Sequence, residues 1–244
     1  MAGRLGTRGR FAVAYLLLGA AVGAGIGTFI VLVQRPTPPP PPPWSSWQPG
    51  SSSTSAQLLE IANHVGQGYR LPSGDQLTAV RVGGTHGGQQ PNLQGIAVLD
   101  KGTSGRVDQQ YSESETAFYV LCGASKNCVI PEGQPSVARG TVLRREALEL
   151  ALYTLEYAHP IKNVLVFFPP DPGQKTLSST LFFHRDDLSS SLRRPLRDTL
   201  PQVKPPLPGK IAPQEQRTVD DLTGQQLYHY LGISQNFVII RPGA

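Results

Sequence analysis

The chain has 244 residues, with 22 Lys and Arg against 17 Asp and Glu and a pI near 9.4. Four of the basic residues, Arg4, Arg8, Arg10 and Arg35, fall in the first 35 positions, where there is no acid, so the remainder carries 18 basic against 17 acidic side chains. A domain so close to neutral lacks the basic surplus that counter-ion release on a phosphate backbone draws on, which excludes nucleic acid as the expected partner.

Residues 11–33 are a run of 23 apolar and small side chains without a charge. At about 1.5 Å per residue this suffices to cross a hydrocarbon core of about 30 Å, as a helix that pairs its own amides. Arginines precede the run, which predicts a cytoplasmic basic tail over residues 1–10 and a transmembrane helix over 11–33. The chain reads as a single-pass, signal-anchor protein of the cell membrane, bound to the lipid bilayer through 11–33, with everything after that segment extracytoplasmic. The alternative is a signal peptide cleaved at Ala21-Val22-Gly23, but apolar residues continue from Thr28 to Val33 beyond that point. Gly19, Gly23 and Gly27 recur every fourth residue and share one helix face, the geometry through which two membrane helices approach closely to form a homodimer.

Residues 34–54 read as a disordered Pro/Ser-rich linker. The proline run favours a polyproline II stalk of about 25 Å at about 3.1 Å per residue, and residues 51–55 add a flexible Ser/Thr tract. Trp44 and Trp47, the two tryptophans of the chain, are expected to pack onto the folded domain, with capture of a partner as the alternative.

One extracytoplasmic domain is expected over 55–244, long enough to bury its own core. Ser55 caps a first predicted helix that places Leu58, Leu59, Ala62 and Val65 on one side and ends at Gly66 or Gly68. Residues 77–82 alternate like a half-buried strand, and 95–100 and 116–122 read as further strands. Gly83-Gly84-Thr85-His86-Gly87-Gly88 has the composition of a phosphate cradle, but no helix follows to supply amides. It reads as a hairpin loop, with His86 as a binding candidate.

Cys122 and Cys128, the only cysteines, flank a predicted turn, and outside the cytoplasm they are expected to form a disulfide. Two thiols cannot complete a structural zinc site and the spacing is not Cys-x-x-Cys, so no metal and no cofactor is expected.

A helix over 141–158 carries Leu143, Ala147, Leu150, Ala151 and Leu155 on one face, widened by Leu148 and Leu152, with Arg145 and Glu149 paired on another side. Arg139, Arg144 and Arg145 at its start suit a carboxylate or phosphate; a solvated helix start is the simpler account. Residues 163–168 form a continuous apolar strand covered on both faces, and 179–184 another strand. Asp187 opens a short helix carrying Leu188, Leu192, Leu196 and Leu200, kinked at Pro195. Beyond a proline-rich loop, Thr218-Val219-Asp220-Asp221 looks like a capping box for a last helix that runs to Leu231 and stops at Gly232. Residues 236–240 close the domain as a strand. The fold class is α+β, a mixed β-sheet packed by about four helices, preceded by one transmembrane helix and a proline-rich stalk.

There is no nucleophile elbow, no His-Glu-x-x-His and no Walker loop. His184 and Asp186, two apart at a strand end, share a side and are residue types suited to general acid/base work, so they are the catalytic candidates. Two functions follow as expectations: an envelope interaction or binding module facing an envelope protein or cell-wall component, and an extracytoplasmic hydrolase built around His184 and Asp186.

The segments Ser136-Val137-Ala138-Arg139-Gly140, Leu143-Arg144-Arg145-Glu146-Ala147-Leu148-Glu149-Leu150-Ala151 and Val166-Phe167-Phe168-Pro169-Pro170 carry a resemblance across about 130–220. The chain resembles uncharacterised, single-pass membrane-anchored extracytoplasmic proteins of high-GC Gram-positive bacteria. The resemblance implies an envelope location and carries no activity.

Overall fold

A computed structural model describes residues 7–33, 43–83, 93–102, 105–125, 128–131, 134–171, 173–174 and 176–243. The chain separates into two compact units, Met1–Pro42 and Pro43–Ala244.

In the first unit, Thr7–Val33 is one continuous 27-residue α-helix, α1. Among its described side chains, Phe11, Tyr15, Leu16, Leu17, Leu18 and Phe29 are between 62% and 74% exposed. A Cβ built at Gly19 or Gly23 would meet no described atom within 4 Å beyond the helix's own backbone and the adjacent residues, and Gly27 belongs to the same helix, its surroundings lying outside the described residues. Side chains along α1 are described for residues 11–25 and Phe29. Among the described residues, no helix is long and apolar enough to cross a membrane.

The second unit begins at Pro43, so residues 43–53 belong to the folded body rather than to a linker. Leu196 N–H donates to the Trp44 carbonyl at 2.7 Å. Gly50 N–H donates to Glu60 Oε2 at 2.6 Å, and the Ser51 hydroxyl donates to the other oxygen of the same carboxylate. Ser53, not Ser55, accepts from Ala56 N–H and caps helix α2, Thr54–Gly68. The inward face of α2 is Leu58, Ile61, Ala62 and Val65, while Leu59 points outward at 48% exposure. Both tryptophans pack onto the domain. Trp47 stacks on His64 with centroids 3.9 Å apart and planes 3° from parallel, and Trp44 meets Tyr153 and Tyr157 edge-on at 5.6 and 5.7 Å. Burial lowers the His64 pKa, so the imidazole enters this stack neutral.

Eight strands form one mixed sheet: β1 Ala79–Val82, β2 Gly95–Leu99, β3 Val107–Ser112, β4 Thr116–Cys122, β5 Asn163–Phe167, β6 Ser179–His184, β7 Leu227–Ser234 and β8 Phe237–Pro242. Their order is β1-β4-β5-β6-β7-β8-β2-β3, with β4/β5 and β2/β8 parallel and the other pairs antiparallel. β3 is last in that order, yet the three residues Glu113–Glu115 deliver it to β4, the second strand. A flat sheet cannot make that connection, so the β7-β8-β2-β3 half turns back over the β4-β5-β6 half. Period-2 alternation then fills two cores. Val164 and Val166 of β5 and Tyr119 and Leu121 of β4 face the helices. Leu165, Phe167 and Phe118 face Ile96, Val98, Val238 and Ile240 in the fold of the sheet. Double coverage is why β5 reads as an unbroken apolar run and is buried at all five positions.

Helix α3, Val137–Tyr157, is capped by the Ser136 side chain and makes the crossover between β4 and β5. It is buried around most of its circumference, with contacts to α2, to the sheet and to α6, Pro213–Thr223. α2 lies close on β1, where Gly66 permits the approach: a Cβ there would sit 2.8 Å from Val80 Cγ2. The disulfide Cys122–Cys128 closes the turn after β4, with Gly123 N–H donating to the Cys128 carbonyl. On chain-entropy grounds a loop this short stabilises by about 2 kcal/mol.

Several local expectations are corrected. The last helix ends at Thr223 and residues 227–234 are strand β7, so Gly232, at φ +131°, sits at a bulge in a strand rather than at a helix stop. The segment after β6 is a 3₁₀ turn, Arg185–Leu188, followed by two short helices, α4 Ser189–Leu192 and α5 Leu196–Thr199, because Pro195 leaves no amide to continue a single helix. β1 and β2, which flank the glycine-rich segment, are not paired with each other but occupy the first and seventh places in the sheet, and residues 84–92, with the binding candidate His86, lie outside the described residues.

Candidate functional site

The sequence-predicted pair His184 and Asp186 sits where β6 runs into the 3₁₀ turn, and the structure brings the two together, with His184 Nδ1 3.6 Å from Asp186 Oδ2. The hydrogen bonds assign the ring a different task. His184 Nδ1 accepts from Asp186 N–H at 3.3 Å, and His184 N–H donates to Asp187 Oδ2 at 3.0 Å, a reciprocal capping box. A ring nitrogen that accepts an amide carries no hydrogen to donate to the Asp186 carboxylate, so the pair lacks the carboxylate-oriented base of a hydrolytic triad. His184→Ala is therefore expected to cost about 1 kcal/mol of domain stability, the worth of a helix cap. Urea denaturation followed by tryptophan fluorescence reads it, and an unchanged midpoint would contradict the capping role.

Two tyrosines that sequence reasoning did not single out stand beside this turn. Tyr111 on β3 lies 6.1 Å from the His184 ring and 4.9 Å from Phe182, and Tyr228 on β7 meets Phe182 edge-on at 5.9 Å. Burial, then the negative charges of Asp187 and Asp108, raises the Tyr111 pKa. Burial, then Tyr111 and Asp187, does the same for Tyr228. Both phenols are held neutral and are donors and acceptors rather than nucleophiles. The arrangement is an aromatic, acidic surface suited to contact. Among the described residues, no group of three His, Cys, Asp or Glu is placed to hold a metal ion.

The arginine candidates separate from one another. Arg139 lines a small open cleft of about 150 Å³ with Val129, Ile130, Leu143, Pro169 and Pro170 at the start of α3. Arg144 turns away to α6, donating to Asp220 Oδ1 at 2.5 Å and to Thr223 Oγ1 at 3.3 Å. Arg145, expected on a solvated side, is 1% exposed. It donates to Glu215 Oε1 at 2.6 Å, to Glu149 Oε2 at 2.9 Å, to the Tyr69 hydroxyl at 2.5 Å and to the Gln202 carbonyl at 2.7 Å. Burial alone would lower the Arg145 pKa, but Tyr69, Glu149 and Glu215 outweigh it and the net direction is up, so the guanidinium remains a cation inside the protein. Next to it Glu146, fully buried, accepts from the Thr78 hydroxyl at 2.7 Å through Oε1, while Oε2 has no partner among the described residues.

Sequence reasoning missed this buried polar centre. The signal for it was the width of the apolar face of α3: once Leu148 and Leu152 join Leu143, Ala147 and Leu150, the helix is apolar over more than one stripe. Such a helix is buried on several sides, and its charges must then find internal partners.

Compared with known protein families, with curated proteins and with solved structures, the chain matches none.

Proposed function

We propose that the chain is a membrane-anchored extracytoplasmic interaction protein, with α1 as its anchor and the second unit as its binding module. The observation that carries this reading is the uncharged run of residues 11–33 within the 27 helical residues of α1, about 40 Å at 1.5 Å per residue; the described side chains of α1, residues 11–25 and Phe29, are by themselves too few to make a span, and the large apolar ones among them are uncovered. Water penalises such a surface and a hydrocarbon core does not. The arginines before it, and the acid-free stretch around it, favour a cytoplasmic N-terminus. The disulfide supports a compartment in which thiols oxidise. The resemblance to anchored envelope proteins of high-GC Gram-positive bacteria points the same way.

A binding role is favoured over hydrolysis because His184 serves as a cap and Arg144 and Arg145 are tied into the protein's own contacts. The surface around Tyr111, Tyr228 and Asp187 is where a partner protein or wall polymer finds both aromatic and hydrogen-bonding groups. The test of the anchor is extraction of membranes that contain the full chain. It is expected to stay in the pellet through an alkaline carbonate wash and to be released by detergent; release by carbonate alone would overturn the anchor.

A further inference from the structure

The near-neutral balance of the second unit conceals a segregation of charge. Between residues 188 and 214 there are five basic side chains, Arg193, Arg194, Arg197, Lys204 and Lys210, and one acid, Asp198. The rest of residues 43–244 holds 13 basic against 16 acidic side chains. All five bases are exposed, and no ion pair among the described residues engages any of them.

The backbone that carries them is fixed. Arg193 ends α4 and Arg197 lies within α5, and the turn between them is held by the bond from Leu196 N–H to the Trp44 carbonyl. The loop bearing Lys204 and Lys210 is held at Gln202, whose carbonyl accepts from Arg145 and whose side chain accepts from Ala212 N–H at 3.0 Å. Trp44 is the residue after Pro43, where the folded unit begins. The arginines therefore stand beside the point at which the chain enters the domain.

We propose that this basic surface docks the folded unit onto the anionic headgroups of the bilayer that holds α1. The inference rests on the anchor reading. Nine residues, 34–42, join the end of α1 to Pro43, a tether of at most about 35 Å even when fully extended. A tether that short keeps the basic surface at a high effective concentration against the headgroups. Each Lys or Arg near an anionic membrane is worth about five-fold in affinity, so a few such residues hold a tethered domain although they would not recruit a free one. Docking weakens with salt as surface charges are screened.

Trp44 lies beside this surface, bonded to Leu196, and the two tryptophans of the chain serve as native donors. The full chain is reconstituted into vesicles of phosphatidylcholine alone, or with about one-third phosphatidylglycerol, each containing a trace of dansyl-headgroup lipid, and energy transfer from tryptophan is measured. Transfer is expected to be higher with phosphatidylglycerol and to fall to the phosphatidylcholine level in 0.5 M salt. Arg193→Gln, Arg194→Gln and Arg197→Gln together are expected to reduce the docked-to-undocked ratio about a hundred-fold. All three side chains are exposed, and an unchanged urea midpoint certifies the fold of the variant. Inserted protein whose transfer ignores lipid charge or ignores the triple substitution overturns the docking and leaves the anchor standing. Failure to co-float with either vesicle overturns the anchor and the docking together. Capture of soluble polyphosphate by the detergent-held chain, with no response to lipid charge, would reassign the surface to a soluble polyanion and overturn the lipid proposal.

Discussion

Arg145→Ala is expected to destabilise the folded unit by about 3–5 kcal/mol, because it removes one partner from a buried ionic network and strands the others. The guanidinium joins four separate pieces of chain: Glu149 on its own helix, Tyr69 after α2, Gln202 in the proline-rich loop and Glu215 on α6. Without it the Glu215 side chain, fully buried, keeps only the amide of Gln202 at 3.1 Å, and Glu149 keeps only the Tyr69 hydroxyl at 2.6 Å. Urea denaturation of the full chain in detergent, followed by tryptophan fluorescence, reads the loss directly. Arg145→Lys is expected to recover little, because one ammonium cannot supply the fork of donors that four acceptors require. Arg145→Met combined with Glu149→Gln and Glu215→Gln is expected to recover most of it, since the stranded charges are then gone as well. A single Arg145→Ala variant as stable as the parent would refute the account of how α6 and the 200–212 loop are held to α3.

That network also shows where the sequence was legible and where it was not. β4 and β6 are readable to the residue, because Thr116–Cys122 and Ser179–His184 are short β-prone runs bounded by turns. β5 announces its double burial through a continuous apolar run. β7 does not: Leu227, His229 and Leu231 are exposed and Tyr228 and Tyr230 only half-buried, so the weak alternation of Leu-Tyr-His-Tyr-Leu competes with a helical reading after the acidic Asp220-Asp221 pair. Pairing with β6 and β8 decides it, and that information is non-local. The same holds for the candidate site. His184 and Asp186 were recognisable as neighbours, but whether the ring accepts or donates depends on backbone amides that only the turn geometry supplies. Tyr111 and Tyr228 could not be joined to them without the folding-back of the sheet.

Glu146→Gln is expected to stabilise the protein increasingly as pH rises. Glu146 is completely buried and, among the described residues, makes one hydrogen bond, from Thr78, while Oε2 is left without a partner there. Burial raises its pKa well above the ordinary value near 4.5; the Thr78 bond opposes this, and the facing carboxylate of Glu149 adds to it. A carboxyl whose pKa is higher in the folded than in the unfolded chain contributes its full stability below the unfolded value and loses it as pH rises toward the folded one. The slope between those limits is about 1.4 kcal/mol per pH unit for each such proton. Glu149 acts in the same direction, its pKa raised by burial against the opposing pull of Arg145 and Tyr69. Wild-type stability should therefore decline from about pH 4.5 upward until Glu146 ionises or the fold yields. Glutamine matches the protonated carboxyl in shape and carries no ionisation cost, so near pH 4.5 the variant should melt with the parent. Above that the two should diverge by about 1.4 kcal/mol for each pH unit, with the variant the more stable. Parallel pH–stability curves for the two proteins would show that Glu146 is ionised and solvated in the fold, and that its unpartnered oxygen is reached by water.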